Sequence, residues 1–242
     1  MDIKLKNINF KYRNRKVLQD INLDIKKGES VALIGPNGSG KSTFLKLLNG
    51  LVIPNSGEYL FDNEIIDETN LKNNKFSKKF HKKIGFVFQN SETQLFCSSV
   101  YEEVAFGPEQ MGFKESEIKE RVEDCLNLMG VYKLKDEVPY NISGGEKKRV
   151  AIASMLAMNP DVITLDEPLN AIDPKCKKFL KKTLIELNQS GKTIICATHD
   201  FEYTEGLFDR VIVFSEDHKI IRDEKYDDLI MDRDFLRLHN II

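Results

Sequence analysis

Glycines, a lysine and hydroxyl residues stand at a phosphate-binding spacing early in the chain. Residues 35–43 read Gly-Pro-Asn-Gly-Ser-Gly-Lys-Ser-Thr and contain the pattern G-x-x-x-x-G-K-[ST]. They follow the apolar run 30–34 and precede a predicted helix from Thr43 to Asn49. Glycines allow several backbone N–H groups to point at one anion, and the helix adds its positive end. We therefore predict a phosphate loop, in which Lys41 faces the β- and γ-phosphates and Ser42 binds Mg²⁺.

Two carboxylates follow another apolar run. The predicted strand Val162 to Leu165 ends in Asp166 and Glu167. Ligands of open α/β sheets bind beyond the carboxyl ends of the strands, so we expect this pair beside the phosphate loop. Asp166 is predicted to hold Mg²⁺, directly or through water, and Glu167 to act as general base on an attacking water. The alternative is an ordinary Asp-Glu-Pro turn, which the phosphate loop disfavours.

Three further side chains are candidates for the same site. His199 follows the predicted strand 194–197 and could donate to a phosphate oxygen or to the attacking water, or be a structural histidine. Gln89 ends the predicted strand 84–88, and its amide suits the orientation of water near Mg²⁺. Tyr12 could stack on adenine or be a plain surface tyrosine.

A second glycine turn is predicted to bind an anion. Ser143-Gly144-Gly145 stands at the start of a predicted helix, about Glu146 to Met158, roughly 100 residues after the phosphate loop. One compact nucleotide does not need two such turns from one chain. We therefore predict a twofold dimer, in which each nucleotide lies between one subunit's phosphate loop and the other's Ser-Gly-Gly turn.

Composition narrows the class of protein. The chain has 242 residues, 41% hydrophobic content and a net charge of −2, so no overall charge attracts nucleic acid or anionic lipid. No stretch approaches the roughly 20 apolar residues of a membrane span, so any membrane role must come through a partner. Four scattered cysteines predict neither zinc nor a disulfide framework. The basic cluster Lys72 to Lys83 is interpreted as a solvated face rather than a binding patch.

Strand and helix patterns alternate along the chain. The predicted strands are 3–12, 17–25, 31–34, 58–61, 84–88, 162–165, 194–197 and 211–214. Further helices are predicted at 116–129 and 175–187, and the basic stretch between 61 and 84 is expected to be irregular. This alternation predicts an α/β fold with a mainly parallel sheet covered on both faces, interrupted by a helical insert at roughly 90–160.

Over nearly its whole length the chain resembles the ATP-binding cassette (ABC) family. The matching motifs are the Walker A loop (35–43), Walker B (162–167), the signature (143–146), the Q-loop (Gln89), the D-loop (170–173), the H-loop (His199) and the A-loop (Tyr12). The resemblance implies a P-loop NTPase of ABC type, a single domain over 1–242. Its nucleotide-binding core would comprise 1–90 and 160–242 with an N-terminal antiparallel β-subdomain, and about 91–159 would form the helical signature subdomain.

The resemblance also assigns residue roles, with ATP and Mg²⁺ as cofactors. Glu167, His199 and Gln89 would be catalytic, and Ser42, Gln89 and Asp166 would hold the metal. The nucleotide-binding residues would be Tyr12, Gly35, Pro36, Asn37, Gly38, Ser39, Gly40, Lys41, Ser42, Thr43, Ser143, Gly144, Gly145 and Asp173. The chain departs from the usual motifs at Ile142 and Glu146 of the signature and at 169–172 before the D-loop aspartate.

A finer resemblance concerns residues 86–108. The segments 86–90, 94–96 and 104–108 resemble the ATPase subunits of energy-coupling-factor importers, especially their cobalt and nickel branch. This implies integral membrane transport subunits, a second ATPase subunit that is either identical or a paralogue, and a place at the cytoplasmic face of the membrane. A vitamin or another micronutrient is the alternative cargo. A non-transport ABC ATPase is disfavoured because 44–142 holds no heptad run and the chain has one cassette, so no nucleic-acid partner is expected.

Overall fold

The strands form two sheets in the computed structural model, which describes residues 2–242 apart from the side chain of Glu202. The smaller sheet is antiparallel, in the order β2-β1-β4-β5. Its strands are β1 (Ile3–Tyr12), β2 (Arg15–Ile25), β4 (Ser56–Phe61) and β5 (Glu64–Ile65). Ile3 and Leu5, then Ile8 and Phe10, are buried on β1, which is the period-2 pattern of a sheet with one covered face, shifted by one residue at an irregularity between Leu5 and Ile8. The predicted N-terminal antiparallel subdomain is therefore confirmed.

The larger sheet carries the apolar strands, in the order β10-β9-β3-β8-β7-β6. They are β3 (Ser30–Ile34), β6 (Ile84–Val87), β7 (Val162–Asp166), β8 (Thr193–Ala197), β9 (Arg210–Phe214) and β10 (Ile220–Lys225). Neighbours pair in parallel except β9 with β10. All residues of β3, β7 and β8 are buried, as expected for parallel strands covered on both faces. The mainly parallel sheet is confirmed.

Helices cover both faces of this sheet. They are α1 (Lys41–Leu48), α2 (Glu68–Lys72), α3 (Asn74–Lys83), α4 (Val100–Gln110), α5 (Glu115–Leu128), α6 (Gly144–Leu156), α7 (Pro174–Gln189), α8 (Phe201–Thr204), α9 (Tyr226–Met231) and α10 (Arg233–Leu238). Ala32 and Ile34 of β3 face one hydrophobic core, which α4 to α7 help to build. Val31 and Leu33 face a second core, shared with α1 and the antiparallel sheet.

The prediction of an irregular stretch between 61 and 84 is wrong, because α2 and α3 lie there. Polar caps start both helices: Asp67 accepts from the Asn70 backbone N–H, and Asn73 accepts from those of Lys75 and Phe76. Phe80 is the single buried residue of this pair. The apolar residues of these helices are few, with Leu71 in α2 and Phe76 and Phe80 in α3 packed on the second core, so the periodic pattern is short.

Three of the six lysines in this basic cluster pair with neighbouring carboxylates. Lys79 pairs with Glu64 at 2.8 Å, and Lys83 pairs with Asp62 at 2.6 Å. Lys72 pairs with Glu68 one turn earlier. A face on which basic and acidic side chains alternate in this way is solvated rather than strongly attractive to anions.

Residues 91–159 are mostly helical, with α4, α5 and α6 packed on one another. Helix α4 was not predicted, because Gly107 and Pro108 lie inside it and normally interrupt a helix. Predicted helices at 116–129 and 146–158 correspond to α5 and α6. Within residues 2–242, no helix combines the length and apolarity needed to cross a membrane.

Candidate functional site

The phosphate loop connects β3 to α1 and needs glycine at two close approaches. A Cβ on Gly35 would overlap the Phe214 carbonyl oxygen, and one on Gly40 would lie 2.5 Å from the Val17 carbonyl oxygen. Both glycines also have positive φ, of 143° and 111°. The loop therefore packs between the backbones of β9 and β2, and this packing fixes its conformation.

Lys41 begins α1 and folds back over the loop. Its Nζ donates to the carbonyls of Gly35 and Pro36 at 2.7 and 3.0 Å. Burial lowers the pKa of this ammonium, and the charges of Glu167 and Asp166 oppose that shift. The ammonium therefore lies inside the loop, opposite two carboxylates.

The N-terminus of α1 is open. Gly40 at the N-cap position has no side chain to accept from the first turn, and that turn contains no acidic residue. The unpaired N–H groups and the positive end of the helix dipole face the loop interior. This is the arrangement that binds phosphate oxygens.

Asp166 ends β7 beside this helix. Burial raises the pKa of the Asp166 carboxyl, while a hydrogen bond from the Ser42 hydroxyl lowers it. A carboxylate and a hydroxyl in contact are two hard oxygen ligands, which suits Mg²⁺ with phosphate oxygens completing its shell. Ser42 and Asp166, two of the three residues predicted to hold the metal, are thus chemically suited to it.

Glu167 and His199 meet at the next strand end. His199 Nδ1 lies 2.9 Å from Glu167 Oε1, and the Glu167 side chain is only 10% exposed. Burial raises the pKa of Glu167, and the hydrogen bond from His199 opposes that shift. Glu167 adopts φ 50°, a left-handed conformation that is costly for a residue with a Cβ. A carboxylate is thereby held at the mouth of the phosphate loop.

Lys41, Ser42, Asp166 and Glu167 line one cleft of about 350 Å³, called the nucleotide cleft below, and His199 lies outside its lining, in contact with Glu167. The cleft is lined by Tyr12, Arg15, Val17, Asn37, Gly38, Gly40, Lys41, Ser42, Thr43, Gln89, Asp166 and Glu167. Tyr12 is 44% exposed at the end of β1 and contacts Phe10 edge-on, with ring centroids 4.8 Å apart. Gln89 is exposed and lies two positions beyond β6, which ends at Val87, one residue before the predicted strand end.

Ser39 lies beneath the phosphate loop rather than on the cleft wall. It is 1% exposed, and its backbone carbonyl lies 3.2 Å from His218 Nδ1. Arg15 and Val17 of the cleft wall belong to no motif, so no sequence signal indicates them. The same holds for Lys148, a buried α6 residue whose Nζ donates to the Gln89 carbonyl at 2.8 Å.

The Ser-Gly-Gly turn lies elsewhere, at the start of α6. We call residues 143–146 the serine–glycine turn. Ser143 is the N-cap, and its hydroxyl and backbone N–H both donate to Glu146 Oε2, at 2.6 and 2.8 Å. These hydrogen bonds lower the pKa of Glu146. The turn is therefore closed by its own carboxylate.

Asp173 lies next to the serine–glycine turn. It caps α7 by accepting from the Cys176 backbone N–H at 3.0 Å. Together they line a second depression of about 430 Å³, which shares no residue with the nucleotide cleft. Ser143, Gly144, Gly145 and Asp173 are therefore separate from the phosphate loop within one chain.

The model of the ABC transporter family matches residues 18–170. The chain belongs to the ABC transporter family. Its match spans the phosphate loop, the serine–glycine turn and the carboxylates at the end of β7. An ABC cassette accounts for both sheets and for the helices between 91 and 159.

Two curated relatives of this ABC cassette illustrate the similarity. A Clostridium acetobutylicum protein, classed among the ABC transporter ATP-binding proteins, is 67% identical over 240 residues, covering 99% of this chain and 100% of its own. The nickel import ATP-binding protein LarO of Lactiplantibacillus plantarum is 45% identical over 221 residues, covering 91% and 92% of the two chains.

Two solved structures resemble the cassette closely. The first is cbiO1 from Clostridium perfringens, described as part of the ABC transporter complex cbiONQ. It has a TM-score of 0.83 and 38% identity, covering 99% of this chain and 94% of its own. The second is the ATP-binding cassette MJ0796, in a dimeric post-hydrolysis state bound to ADP and Pi, with a TM-score of 0.83, 33% identity and coverage of 92% and 98%.

Proposed function

We propose that this chain binds ATP with Mg²⁺ in the nucleotide cleft and hydrolyses it as the ATPase subunit of a membrane importer. The observation that carries the proposal is the convergence of Lys41, Asp166 and Glu167 on one cleft at the open end of α1. Phosphoryl transfer is catalysed mainly by positioning and by charge, and these residues supply both. The chain would act as one domain, with core 1–90 and 160–242 and a helical subdomain at 91–159.

Each side chain has a chemical role in this proposal. Tyr12 stacks on the adenine, and the loop N–H groups with Lys41 bind the β- and γ-phosphate oxygens. Glu167 accepts a proton from the attacking water. The water oxygen bonds to the γ-phosphorus while the bond from that phosphorus to the β–γ bridging oxygen breaks. His199 holds Glu167 and donates to the reacting oxygens, and Gln89 orients water.

Magnesium fits the ligands that this chain offers. Ser42 and Asp166 would hold the ion, with Gln89 nearby to contact its water. Bound Mg²⁺ neutralises charge on the phosphates. Ser42 lies in the first turn of α1 and Asp166 ends β7, so the two ligands are positioned by neighbouring elements.

The dimer completes the site. Because the serine–glycine turn and Asp173 lie away from the nucleotide cleft of their own chain, we infer that they reach the nucleotide of a second subunit. The similarity to a dimeric cassette bound to ADP and Pi supports this arrangement. The second subunit is either another copy or a paralogue.

Membrane subunits are the proposed partners. A depression of about 470 Å³ lies beside Gln89, with Asn90, Leu95, Pro139 and further residues on its walls. Phe96 and Tyr140 on its rim are 67% and 85% exposed. Exposed aromatic side chains around a depression favour the docking of an apolar helix. The chain would thereby be held at the cytoplasmic face of the membrane.

Nickel or cobalt is the proposed cargo, in a transporter of the energy-coupling-factor type. Similarity to a nickel import ATPase and to cbiO1 of the cbiONQ complex supports this choice over a vitamin or another micronutrient. A non-transport ABC ATPase is the less supported function. Uptake of labelled nickel, cobalt and a vitamin by the reconstituted complex would separate these cargoes.

The activity is tested with Glu167→Gln. Removing the general base should lower ATP turnover by roughly 10²–10⁴-fold, while ATP still binds and holds the dimer together. Steady-state ATPase assays and gel filtration with ATP measure both effects. Near-normal hydrolysis by this variant would remove Glu167 from the role of base.

The transport assignment is tested by its partners. Purification of the chain from membranes should recover an integral membrane protein, and Phe96→Ser with Tyr140→Ser should release it without lowering the ATPase activity of the free chain. Recovery of ribosomes or DNA instead would favour a non-transport ABC ATPase.

A further inference from the structure

The segment that follows His199 is fixed by an ion pair from α7. Lys177 Nζ lies 2.5 Å from Asp200 Oδ2, and the two side chains are 21% and 12% exposed. The ammonium also lies 4.6 Å from the centre of the Tyr203 ring. Pairs shielded from water in this way are held more rigidly than surface pairs.

Asp200 is bound through its other polar atoms as well. Its Oδ1 accepts from the Tyr203 backbone N–H at 3.3 Å, capping α8. Its carbonyl accepts from Thr204 Oγ1 at 2.8 Å, and that hydroxyl lies 2.7 Å from the buried Tyr226 hydroxyl. The residue after His199 is thus connected to α7, α8 and α9.

The ion pair also joins the two parts of the proposed site. Helix α7 starts at Asp173 beside the serine–glycine turn, and Lys177 lies one turn later, its backbone N–H donating to the Asp173 carbonyl at 3.0 Å. At the other end, His199 contacts Glu167 at 2.9 Å. A continuous set of contacts therefore leads from Asp173 through Lys177 and Asp200 to His199.

We propose that the Lys177–Asp200 ion pair positions His199 against Glu167 and couples that position to α7. Lys177 and Asp200 are positioning residues, since neither lines the nucleotide cleft. Contact of Asp173 with the second subunit's nucleotide would move or fix α7 and so set the histidine. The inference rests on the proposed function, because it concerns the hydrolysis step of that site.

The first test compares three lysine variants of the full chain. Lys177→Met should lower kcat about 2- to 30-fold, the range of couplings carried through such contacts. Affinity for a fluorescent ATP analogue should stay unchanged, because Tyr12 and Lys41 are untouched. Lys177→Arg should restore most of the kcat, since it keeps the charge. Lys178→Met, an exposed neighbour on α7, is the matched control and should behave as wild type.

The second test asks whether Lys177 acts through His199. In single-turnover hydrolysis with enzyme in excess, Lys177→Met should cost less than about twofold in a His199→Ala background, because the group that it positions is already gone. An equal loss in both backgrounds would overturn the inference. So would a kcat like that of Lys178→Met, or a fall in ATP affinity that matches the fall in kcat.

Folding defects and failure of the proposed function are separable outcomes. If Lys177→Met lowers the melting temperature strongly, the near-isosteric Asp200→Asn decides: unchanged kcat in a folded Asp200→Asn protein overturns the inference. If wild type does not hydrolyse ATP, the proposed function fails. If wild type is active and all Lys177 variants match it, only the positioning role fails.

Discussion

Both glycine turns of this cassette lie at a helix N-terminus. One of these N-termini is free to bind an anion, and the other is already capped by a side chain. At the phosphate loop, Gly40 leaves the first turn of α1 uncapped, and no acidic residue lies there. At the serine–glycine turn, Ser143 and Glu146 form a capping box, with the carboxylate on the serine hydroxyl and backbone N–H. One turn is open to phosphate, and the other is closed by a negative charge.

This difference indicates how the two halves of the proposed nucleotide site would act in sequence. The open loop can bind phosphates in a single chain, whereas the closed turn requires Glu146 to release Ser143 before the hydroxyl meets a phosphate. The glutamates differ too: burial raises the pKa of Glu167, whereas the Ser143 hydrogen bonds lower the pKa of Glu146. The first glutamate is suited to take a proton, and the second to remain charged.

The largest effect is expected from removing the positive charge that Lys41 places in the phosphate loop. Lys41→Ala should lower turnover at least about 10²-fold and weaken ATP binding, because it removes the ammonium that lies inside the phosphate loop. ATPase rates and titration with a fluorescent ATP analogue measure the two effects. Lys72→Ala, an exposed lysine of the basic cluster, serves as control. Unchanged affinity and rate would refute the role of Lys41.

A pair of inactive variants tests whether the closed turn acts in the other subunit. Ser143→Arg and Glu167→Gln homodimers should each lose about 10²-fold or more in turnover. Mixing the two chains should restore one site per mixed dimer, since the wild-type Glu167 of one chain meets the wild-type Ser143 of the other. Without recovery on mixing, Ser143 does not act in trans.

A smaller effect is expected when the negative charge of Glu146 is removed from the serine–glycine turn. Glu146→Gln keeps an acceptor oxygen for Ser143 but loses the negative charge, so ATP-driven dimerisation should tighten about 2- to 5-fold at low salt. Sedimentation at two ionic strengths measures this, and the gain should shrink as salt rises. Glu120→Gln on the exposed face of α5 is the control. Weaker dimerisation would mean that the capping box outweighs the charge.

The smallest effect is expected in the pH dependence of kcat, to which Glu167 should contribute and Glu146 should not. Turnover needs ionised Glu167, and burial raises its pKa, so kcat should fall with decreasing pH through a value above about 4.3, the ordinary pKa of glutamate. The lowered pKa of Glu146 keeps that group ionised over this range, so Glu146→Gln should leave the acid limb in place. Rates at saturating Mg-ATP from about pH 4.5 to 8 measure it. An acid limb that shifts in Glu146→Gln would contradict this assignment.

The site residues at the ends of the parallel strands were the most predictable part of the molecule. The phosphate loop and Asp166 follow short apolar runs, and such runs become buried parallel strands whose ends share one edge. The α/β class followed from the same alternation. Helices α2 and α3 were missed because they carry few apolar residues, Leu71, Phe76 and Phe80, and begin at Asp and Asn caps within a strongly basic stretch.

Other features depend on tertiary contacts. Lys177 and Asp200 are 23 residues apart and belong to different elements, so nothing local indicates that they pair. Arg15 reaches the nucleotide cleft because β1 and β2 place the antiparallel sheet against the phosphate loop. The capping box was accessible, since Ser143 and Glu146 stand at the S-x-x-E spacing of that motif.

The packing of β3 between two cores determines which mutations this strand tolerates. Its five residues send Ala32 and Ile34 to one hydrophobic core and Val31 and Leu33 to the other, and the phosphate loop begins directly after them. Deleting a single residue there would exchange the two faces and displace the loop by about 3.3 Å. Length in this strand should therefore be far less tolerant of variation than side-chain identity.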